Sequence, residues 1–429
     1  MLNHLMDVLK ASPADAWEIT ETVRKGWEFY LIRHALDQNR AVHVTHYNVR
    51  VYRRSEDGKF LGSAAGEIPP TADDAEVRRL VNQLILAAEL VRNPAYTLNQ
   101  PDPDAAGKNA GEKVDPEEIS AAFLSALSRV PETEEADLNS AEIFVDDVTT
   151  RFVNSEGIDV TAEYPSSTVE AVVNARKDGH EIELYRMYTS GTCDAERLTR
   201  DLTETLAFGR ARLEAVPTPA LQKADVIFST EDAREIYLWY ADRMNAAYKY
   251  MKYSDWEIGQ PVAEDAEGDP LTLTAVPFLP NSSKNFAFDA EGAPIRETVQ
   301  IRDNIPEAFL GPRQYCQYLG VEPSFRPGNL KFSGGRQSAE TLREGDWLEP
   351  VEFSDFQVNP LSGDIAGEIR LAFWHHGEET TPVTGGSVSG NMRQFAKTIR
   401  FSRETRQIDW VEIPAVTRLK DVTITGAEN

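Results

Sequence analysis

Three consecutive stretches between residues 142 and 190 are rich in β-branched residues and are separated by short glycine turns. The turns are Glu156-Gly157 and Asp178-Gly179, dipeptides that favour tight connections between antiparallel strands. β-branched side chains lose conformational freedom in a helix and pack well on a pleated sheet. The pattern therefore predicts an antiparallel meander.

A smaller unit of strands and a helix is predicted before the meander. Residues 41–53 nearly alternate between apolar and polar side chains, and a second short strand follows a turn at Asp57-Gly58. Apolar residues then recur every three or four positions within residues 77–88, as on one face of a helix. We therefore predict a first α+β unit over residues 1–100.

A linker is predicted between this unit and the meander. Residues 101–114 lack hydrophobic periodicity and are rich in proline, glycine and aspartate. Asp115 and Pro116 then supply an N-cap and a first-turn proline for a helix, and Asp194 can cap another helix after the meander. The second α+β unit, a meander with helices, is predicted over residues 115–219.

The hydrophobic period changes from mixed to mainly two after about residue 220. A short apolar strand is followed by a predicted helix over residues 231–250, whose inward face includes Ile236 and Trp239 or Tyr240. The remaining stretches are short, β-rich and punctuated by glycine and proline, as in an antiparallel barrel or sandwich. The fold class is thus α+β, with sheet-and-helix units followed by a mainly antiparallel β domain over residues 220–429.

Charge and apolar patterning exclude several classes of partner. The chain has 44 basic and 70 acidic residues, a formal charge of −26, so it has no global attraction for nucleic acid or anionic lipid. It contains no run of about 18 apolar residues, and its N-terminus lacks the basic region of a signal peptide. Its two cysteines match no metal or redox spacing, which fits a reducing compartment. We expect no nucleic-acid or membrane partner and a cytoplasmic location.

One histidine cluster offers a possible metal site. His375, His376 and Glu378 supply two imidazoles and a carboxylate within four residues. Adjacent side chains on a strand point to opposite faces, however, and the polar sequence is typical of a solvated hairpin tip. We predict no metal site in this chain and keep these three residues as the alternative ligands.

Small and amide side chains in the C-terminal region are candidates for contact with a peptide or cavity. Glycines let backbone approach backbone, and an asparagine can bond main-chain groups beside it. Neither glycine cluster in this region has the spacing or the strand-to-helix context of a phosphate loop. The candidates are Asn329, Gly385, Gly386, Ser389 and Asn391.

Five short phrases, together with the order of elements, carry a resemblance over most of the chain. They are Asn154-Ser155-Glu156-Gly157, Phe288 to Pro294, Gly328-Asn329-Leu330 followed by Ser338 to Leu342, Gly367-Glu368-Ile369, and Ser389-Gly390-Asn391-Met392. In these the chain resembles the TldD/PmbA family, whose members are also called TldD/TldE peptidases or proposed modulators of DNA gyrase.

The resemblance also contains a departure. The TldD branch of the family has a His-Glu-x-x-x-His helix in its third region, where two imidazoles hold zinc and the glutamate serves as base. The corresponding residues 226–245 contain no histidine and supply Glu231, Asp232 and Glu235 instead. In this the chain resembles the PmbA (TldE) branch, which lacks the metal.

The resemblance implies a non-metal subunit of a TldD/TldE-type assembly that processes unfolded or extended peptides. It implies no cofactor in this chain, zinc in a TldD-like partner, and a homodimer when the chain is alone; no catalytic residue is assigned. Two alternatives remain open. One is a self-sufficient metallopeptidase that uses His375, His376 and Glu378, and the other is a peptide- or protein-binding module without hydrolytic activity.

Overall fold

A seven-stranded antiparallel sheet organises the N-terminal half of the chain. The computed structural model describes residues 1–102 and 114–426. The elements of this half are α1 (Leu2–Ala11), β1 (Ala16–Ile32), β2 (Ala35–Arg54), β3 (Phe60–Ile68), α2 (Asp74–Glu89), β4 (Asn93–Pro94), α3 (Pro116–Ser128), β5 (Ala136–Asn154), β6 (Asp159–Lys177), β7 (His180–Ser190) and α4 (Ala195–Glu214). The strand order is β4-β3-β2-β1-β5-β6-β7, which leaves β7 at one edge.

The predicted hairpin and meander are confirmed as β2–β3 and β5–β6–β7. Helix α1 and strand β1 were not predicted from the sequence. Strand β1 pairs with β2 on one side and with β5 on the other, so the residues predicted as two units share one sheet. Of the predicted linker over residues 101–114, residues 103–113 lie outside the described residues.

Two predicted helix starts are confirmed by their capping hydrogen bonds. The carboxylate of Asp115 accepts a hydrogen bond from the backbone N–H of Glu117, and that of Asp194 accepts one from Arg197. Each carboxylate satisfies an amide that has no partner within the helix. Leu198, Leu202 and Leu206 of α4 are buried against the sheet, which fixes the position of α4 beside β7.

The C-terminal region contains many short strands and four helices among its described residues. Its elements are β8 (Val216–Pro217), β9 (Gln222–Phe228), α5 (Ala233–Arg243), α6 (Ala246–Tyr250), β10 (Thr272–Val276), β11 (Thr298–Arg302), β12 (Ile305–Pro306), α7 (Arg313–Leu319), β13 (Asn329–Ser333), a 3₁₀ turn (Thr341–Arg343), β14 (Trp347–Val358), β15 (Asp364–His376), β16 (Glu379–Thr384), β17 (Ser387–Asn391), α8 (Met392–Phe395), β18 (Arg400–Phe401), β19 (Thr405–Ile408), β20 (Val411–Pro414) and β21 (Thr417–Thr425).

Five of these strands form a closed barrel, which confirms the predicted barrel-like domain. The cyclic order is β9-β21-β17-β15-β14, and β14 closes the ring by pairing with β9. The closing pair is parallel, whereas the other four pairs are antiparallel. A second sheet of six strands, β12-β11-β10-β13-β20-β19, packs into the same hydrophobic core.

The helix predicted over residues 231–250 is present as two shorter helices. Helix α5 ends before Met244, and the side chain of Asn245 accepts a hydrogen bond from Ala247 N to begin α6. Ile236, Trp239 and Tyr240 are buried in the main core, as predicted. The start of α5 is thereby held firmly beside the barrel.

No helix within residues 1–102 and 114–426 combines the length and apolar character needed to cross a bilayer.

Candidate functional site

A cavity of about 720 Å³ lies where the N-terminal sheet meets the barrel. Strand β7 and helix α4 line it from the N-terminal half, and β14 and the start of α5 line it from the C-terminal half. Strand β9 ends at Phe228 and α5 begins at Ala233. The connection between them, residues 229–232, lines the cavity. The cavity is therefore formed by elements that are distant in sequence.

Two carboxylates at the start of α5 face this cavity. Burial raises the pKa of Asp232 to about 6, and the negative charges of Glu231 and Glu235 add to the rise, while Arg186 opposes it. Burial also raises the pKa of Glu231, although Arg406, Arg197 and Arg186 lower it. Among the described residues, neither side chain has a hydrogen bond or a close ion pair. Both are thus carboxylates that are partly desolvated and have no adjacent counter-ion.

Arginines alternate with the other carboxylates around the cavity. Arg186 on β7 donates to Glu352 on β14, with 2.9 Å between Nη1 and Oε2, and so connects the two halves of the protein. Arg343 forms an ion pair with Glu349, and Arg197 lies 3.4 Å from Asp201. Together the lining holds eight carboxylates and five arginines, so its net charge is negative when all are ionised.

Arg406 differs from the other four arginines of the lining. It donates a hydrogen bond to the carbonyl oxygen of Ser229, and within the described chain it has no carboxylate at ion-pair distance. Burial lowers its pKa, and the nearest charges that oppose this effect include Glu231 and Asp201. Arg406 therefore offsets part of the negative charge of Glu231 and Asp201 without forming an ion pair with either carboxylate.

The outer edge of β7 runs along the cavity. Residues 185–189 of this strand line it, and β7 pairs only with β6 among the described strands. An unpaired strand edge presents backbone N–H and C=O groups that can bond another extended chain. The unpaired edge of β7 and the charged side chains therefore line the same cavity.

A second cavity of about 510 Å³ adjoins the first. Both are lined by Tyr188, Thr189, Arg197 and Arg406, among other shared residues. Between them, the carboxylate of Asp409 accepts hydrogen bonds from the hydroxyls of Thr189 and Ser283, at 2.9 and 2.6 Å. The two spaces together make an elongated groove beside β7.

Asn329, a predicted peptide contact, lies outside this groove. It is fully buried on β13, where its amide nitrogen donates to the carbonyl oxygens of Lys284 and Pro277, at 2.9 and 3.3 Å. Its carbonyl oxygen accepts a hydrogen bond from the hydroxyl of Ser282. The geometry assigns Asn329 a role in fixing the 277–285 loop.

The four other predicted contacts lie along the β16–β17 hairpin, from its turn to the far end of β17, and do not line the groove. Gly385 and Gly386 form this turn with φ values of +79° and +76°, and a Cβ on Gly386 would approach the Thr425 carbonyl oxygen to 2.0 Å. Ser389 is within the barrel strand β17, and Asn391 caps α8 by accepting from Arg393 N. These residues therefore have structural positions in a turn, a barrel strand and a helix cap.

The alternative metal ligands are placed at a hairpin tip. His375 stacks on Trp347 and its Nδ1 lies 2.8 Å from Thr380 Oγ1, whereas His376 stacks on Trp374 and its Nδ1 lies 2.7 Å from Asp346 Oδ2. The two imidazoles therefore have separate partners, and Glu378 follows them in the exposed turn.

The residues at the start of α5 do not fit zinc. Glu231, Asp232 and Glu235 offer only carboxylate oxygens, and arginines face them, whereas protein zinc sites rely on imidazole and thiolate ligands. In the described part of the chain, no group of three or more His, Cys, Asp or Glu residues could hold a metal ion.

Most residues of the groove were not predicted from the sequence. Glu231, Asp232 and Glu235 were singled out, but not Arg186, Arg406 or the acids of β14. One signal was available: Glu349 and Glu352 interrupt the apolar first half of β14, and buried acids of this kind require a partner.

Comparison with known proteins gives three consistent matches. Residues 221–426 match the family model described as the PmbA/TldA metallopeptidase C-terminal domain. The fold resembles the crystal structure of TldE from Thermococcus kodakarensis, with a TM-score of 0.75 at 16% identity over 99% of this chain and 100% of that one. It also resembles a proposed DNA gyrase modulator from Thermotoga maritima, with a TM-score of 0.75 at 15% identity over 99% of each chain.

A curated relative adds a sequence match. A protein named metalloprotease from Methanothermobacter thermautotrophicus is 24% identical over 278 residues, which are 58% of this chain and 58% of the relative. The match thus spans little more than half the length of that relative.

Proposed function

We propose that this chain, which belongs to the TldD/PmbA family through its C-terminal domain, is the non-metal subunit of a TldD/TldE-type metallopeptidase assembly. In this proposal the chain helps to bind unfolded or extended peptides, and a zinc-bearing TldD-like subunit carries out the hydrolysis. The chain itself carries no cofactor, forms a homodimer when alone and works in the cytoplasm.

One observation carries the proposal. At the start of α5, where the TldD branch would place its zinc ligands, this chain has carboxylates faced by arginines. Carboxylates alone favour harder cations than zinc, and none of these side chains offers an imidazole. The cavity therefore lies beside residues that do not fit zinc.

The open edge of β7 supports a role in peptide binding. An extended peptide can add to this edge by main-chain hydrogen bonds, which select for an unfolded backbone rather than a particular sequence. The groove beside β7 gives such a peptide a concave surface.

Metal analysis combined with co-purification tests the proposal. The tagged chain, expressed in its own cells and purified without added metal, should contain far less than one zinc per chain. It should also co-purify with a chain that carries a His-Glu-x-x-x-His helix, and peptidase activity should require both chains.

Other outcomes would favour the alternatives. About one zinc per chain, lost in His375→Ala or His376→Ala, would establish a self-sufficient metallopeptidase. Peptide binding without a zinc-bearing partner and without hydrolysis would indicate a binding module. Light scattering on the isolated chain should give the mass of a dimer, and a strictly monomeric mass would contradict the proposed assembly.

A further inference from the structure

We propose that the groove beside β7 selects positively charged peptides, with an ammonium or guanidinium group of the peptide bound by Glu231 and Asp232. This inference rests on the proposed function, because it names the class of peptide that the same site takes.

The ion pairs of the groove leave an excess of negative charge. Four of the five arginines that line the first cavity are matched by a nearby acid: Arg186 by Glu352, Arg197 by Asp201, Arg234 by Glu235, and Arg343 by Glu349. The fifth, Arg406, bonds a backbone carbonyl.

Three acids of the lining, Glu204, Glu231 and Asp232, have neither an ion pair nor a hydrogen bond among the described residues. A cationic group would supply the charge that these side chains lack.

Burial makes the excess negative charge of the cavity energetically unfavourable when no cationic group is bound. Carboxylates without an adjacent cation become harder to ionise as they lose water, which is the direction of the pKa rise at both Glu231 and Asp232. Beside them, the hydroxyl oxygen of Thr230 is buried and has no hydrogen-bond partner among the described residues. The start of α5 therefore has an unpaired hydroxyl as well as unmatched charge.

The strand edge brings a peptide to these carboxylates. Arg186 and Tyr188 on β7 line the same cavity as Glu231 and Asp232, and the charge of Glu231 contributes to the raised pKa of Tyr188. A peptide that adds to the outer edge of β7 must pass this position. Its basic side chains, or its terminal ammonium, can then approach the two acids.

Fluorescence anisotropy with three peptides tests the inference. The probes are amino-terminally labelled ten-residue peptides of glycine, serine and threonine that carry three lysines, three glutamines or three glutamates, and they are titrated with the full chain. We expect the lysine peptide to bind at least tenfold more tightly than the glutamine peptide, and the glutamate peptide to bind most weakly.

Substitutions test whether Glu231 and Asp232 are the groups that bind the lysine peptide. The double variant Glu231→Gln/Asp232→Asn should lose about tenfold in affinity for the lysine peptide and keep its affinity for the glutamine peptide. Glu378→Gln, which removes one charge at the exposed hairpin tip, is the control and should change neither affinity. If the double variant fails to fold, the salt dependence of the unmodified chain takes its place: raising sodium chloride should weaken only the lysine peptide's binding.

The outcomes separate the two proposals. Equal affinities for the three peptides would overturn the charge selection and leave the peptide-binding role intact. Binding of none of the peptides would overturn both. Unchanged lysine selectivity in the folded double variant would exclude Glu231 and Asp232 as the binding groups.

Discussion

The hydroxyl of Tyr52 on β2 donates a 2.7 Å hydrogen bond to Oε2 of Glu18 on β1, and both side chains are buried. Burial raises the pKa of Glu18 from 4.5 to about 7. The hydrogen bond from Tyr52 and the charge of Arg50 oppose this rise. The negative charges of Glu291 and Asp289 add to it. Since Glu291 and Asp289 belong to the C-terminal region, protonation of Glu18 is coupled to the contact between the two halves of the protein.

We predict that Glu18 makes stability fall as pH rises. Below pH 4.5 the carboxyl is protonated in both states, and its contribution is fully present. Between pH 4.5 and 7 the unfolded chain releases the proton that the folded chain keeps, which favours unfolding; above pH 7 both states are ionised. The total loss is at most about 3 kcal/mol.

Urea unfolding of the protein and of Glu18→Gln between pH 4 and 8 measures this contribution. The unfolding free energy of the unmodified protein minus that of Glu18→Gln should fall between pH 4.5 and 7 and stay constant above pH 7. A difference that is independent of pH would show that the Glu18 carboxyl does not keep its proton in the folded state.

A second prediction concerns Gly292, which packs against the N-terminal sheet. Its φ is +72°, and a Cβ would lie 2.7 Å from ring atoms of Phe152. Gly292→Ala should therefore lower the unfolding free energy by about 2–4 kcal/mol, through the left-handed backbone and the ring contact together.

Gly58 provides the matched control for this substitution. It has a similar φ of +70°, but no atom of the described residues lies within 4 Å of a Cβ built there. Gly58→Ala should cost only about 1 kcal/mol. Equal losses for the two variants in thermal or urea unfolding would mean that the Phe152 contact adjusts without cost.

A third prediction concerns the Arg186–Glu352 ion pair that joins β7 to β14. Arg186→Met leaves the buried Glu352 carboxylate without its partner and should cost about 3–5 kcal/mol of unfolding free energy. The double variant Arg186→Met/Glu352→Leu removes both charges and should be more stable than the single variant.

The exposed pair Arg302–Glu307 serves as the control, because its side chains are 55% and 41% accessible. Arg302→Met should cost less than about 1 kcal/mol. If Arg186→Met cost no more than this, the pair would not hold the two halves of the groove together.

The sequence predicted local elements well because their signals are local. The β5–β6–β7 meander follows from its β-branched residues and glycine turns, and the start of α3 follows from Asp115 and Pro116. Strand β1 was missed, and with it the fact that the two predicted units share a sheet. Pairing between β1 and β5 joins residues that are more than 100 positions apart, and no local pattern reports it.

The groove was predicted less well for the same reason. Glu231 and Asp232 were singled out because the resemblance places them where the TldD branch has its zinc helix, but Arg186 and Arg406 reach them only through the tertiary fold. The glycine and asparagine candidates were chosen because such residues can contact main-chain groups. Gly385 and Gly386 do so in a turn, and Asn391 does so as a helix cap.

The last prediction separates a structural role of Asn329 from a role in binding peptides. Asn329→Ala removes the donor to Lys284 and Pro277 and the acceptor for Ser282, all within the folded interior. Because buried polar groups left without partners are costly, the variant should lose about 2–4 kcal/mol of unfolding free energy. Asn391→Ala, which removes a cap at the exposed start of α8, should lose about 1 kcal/mol. Below its melting temperature, folded Asn329→Ala should bind the lysine peptide with unchanged affinity; full stability combined with lost binding would instead place Asn329 in the peptide site.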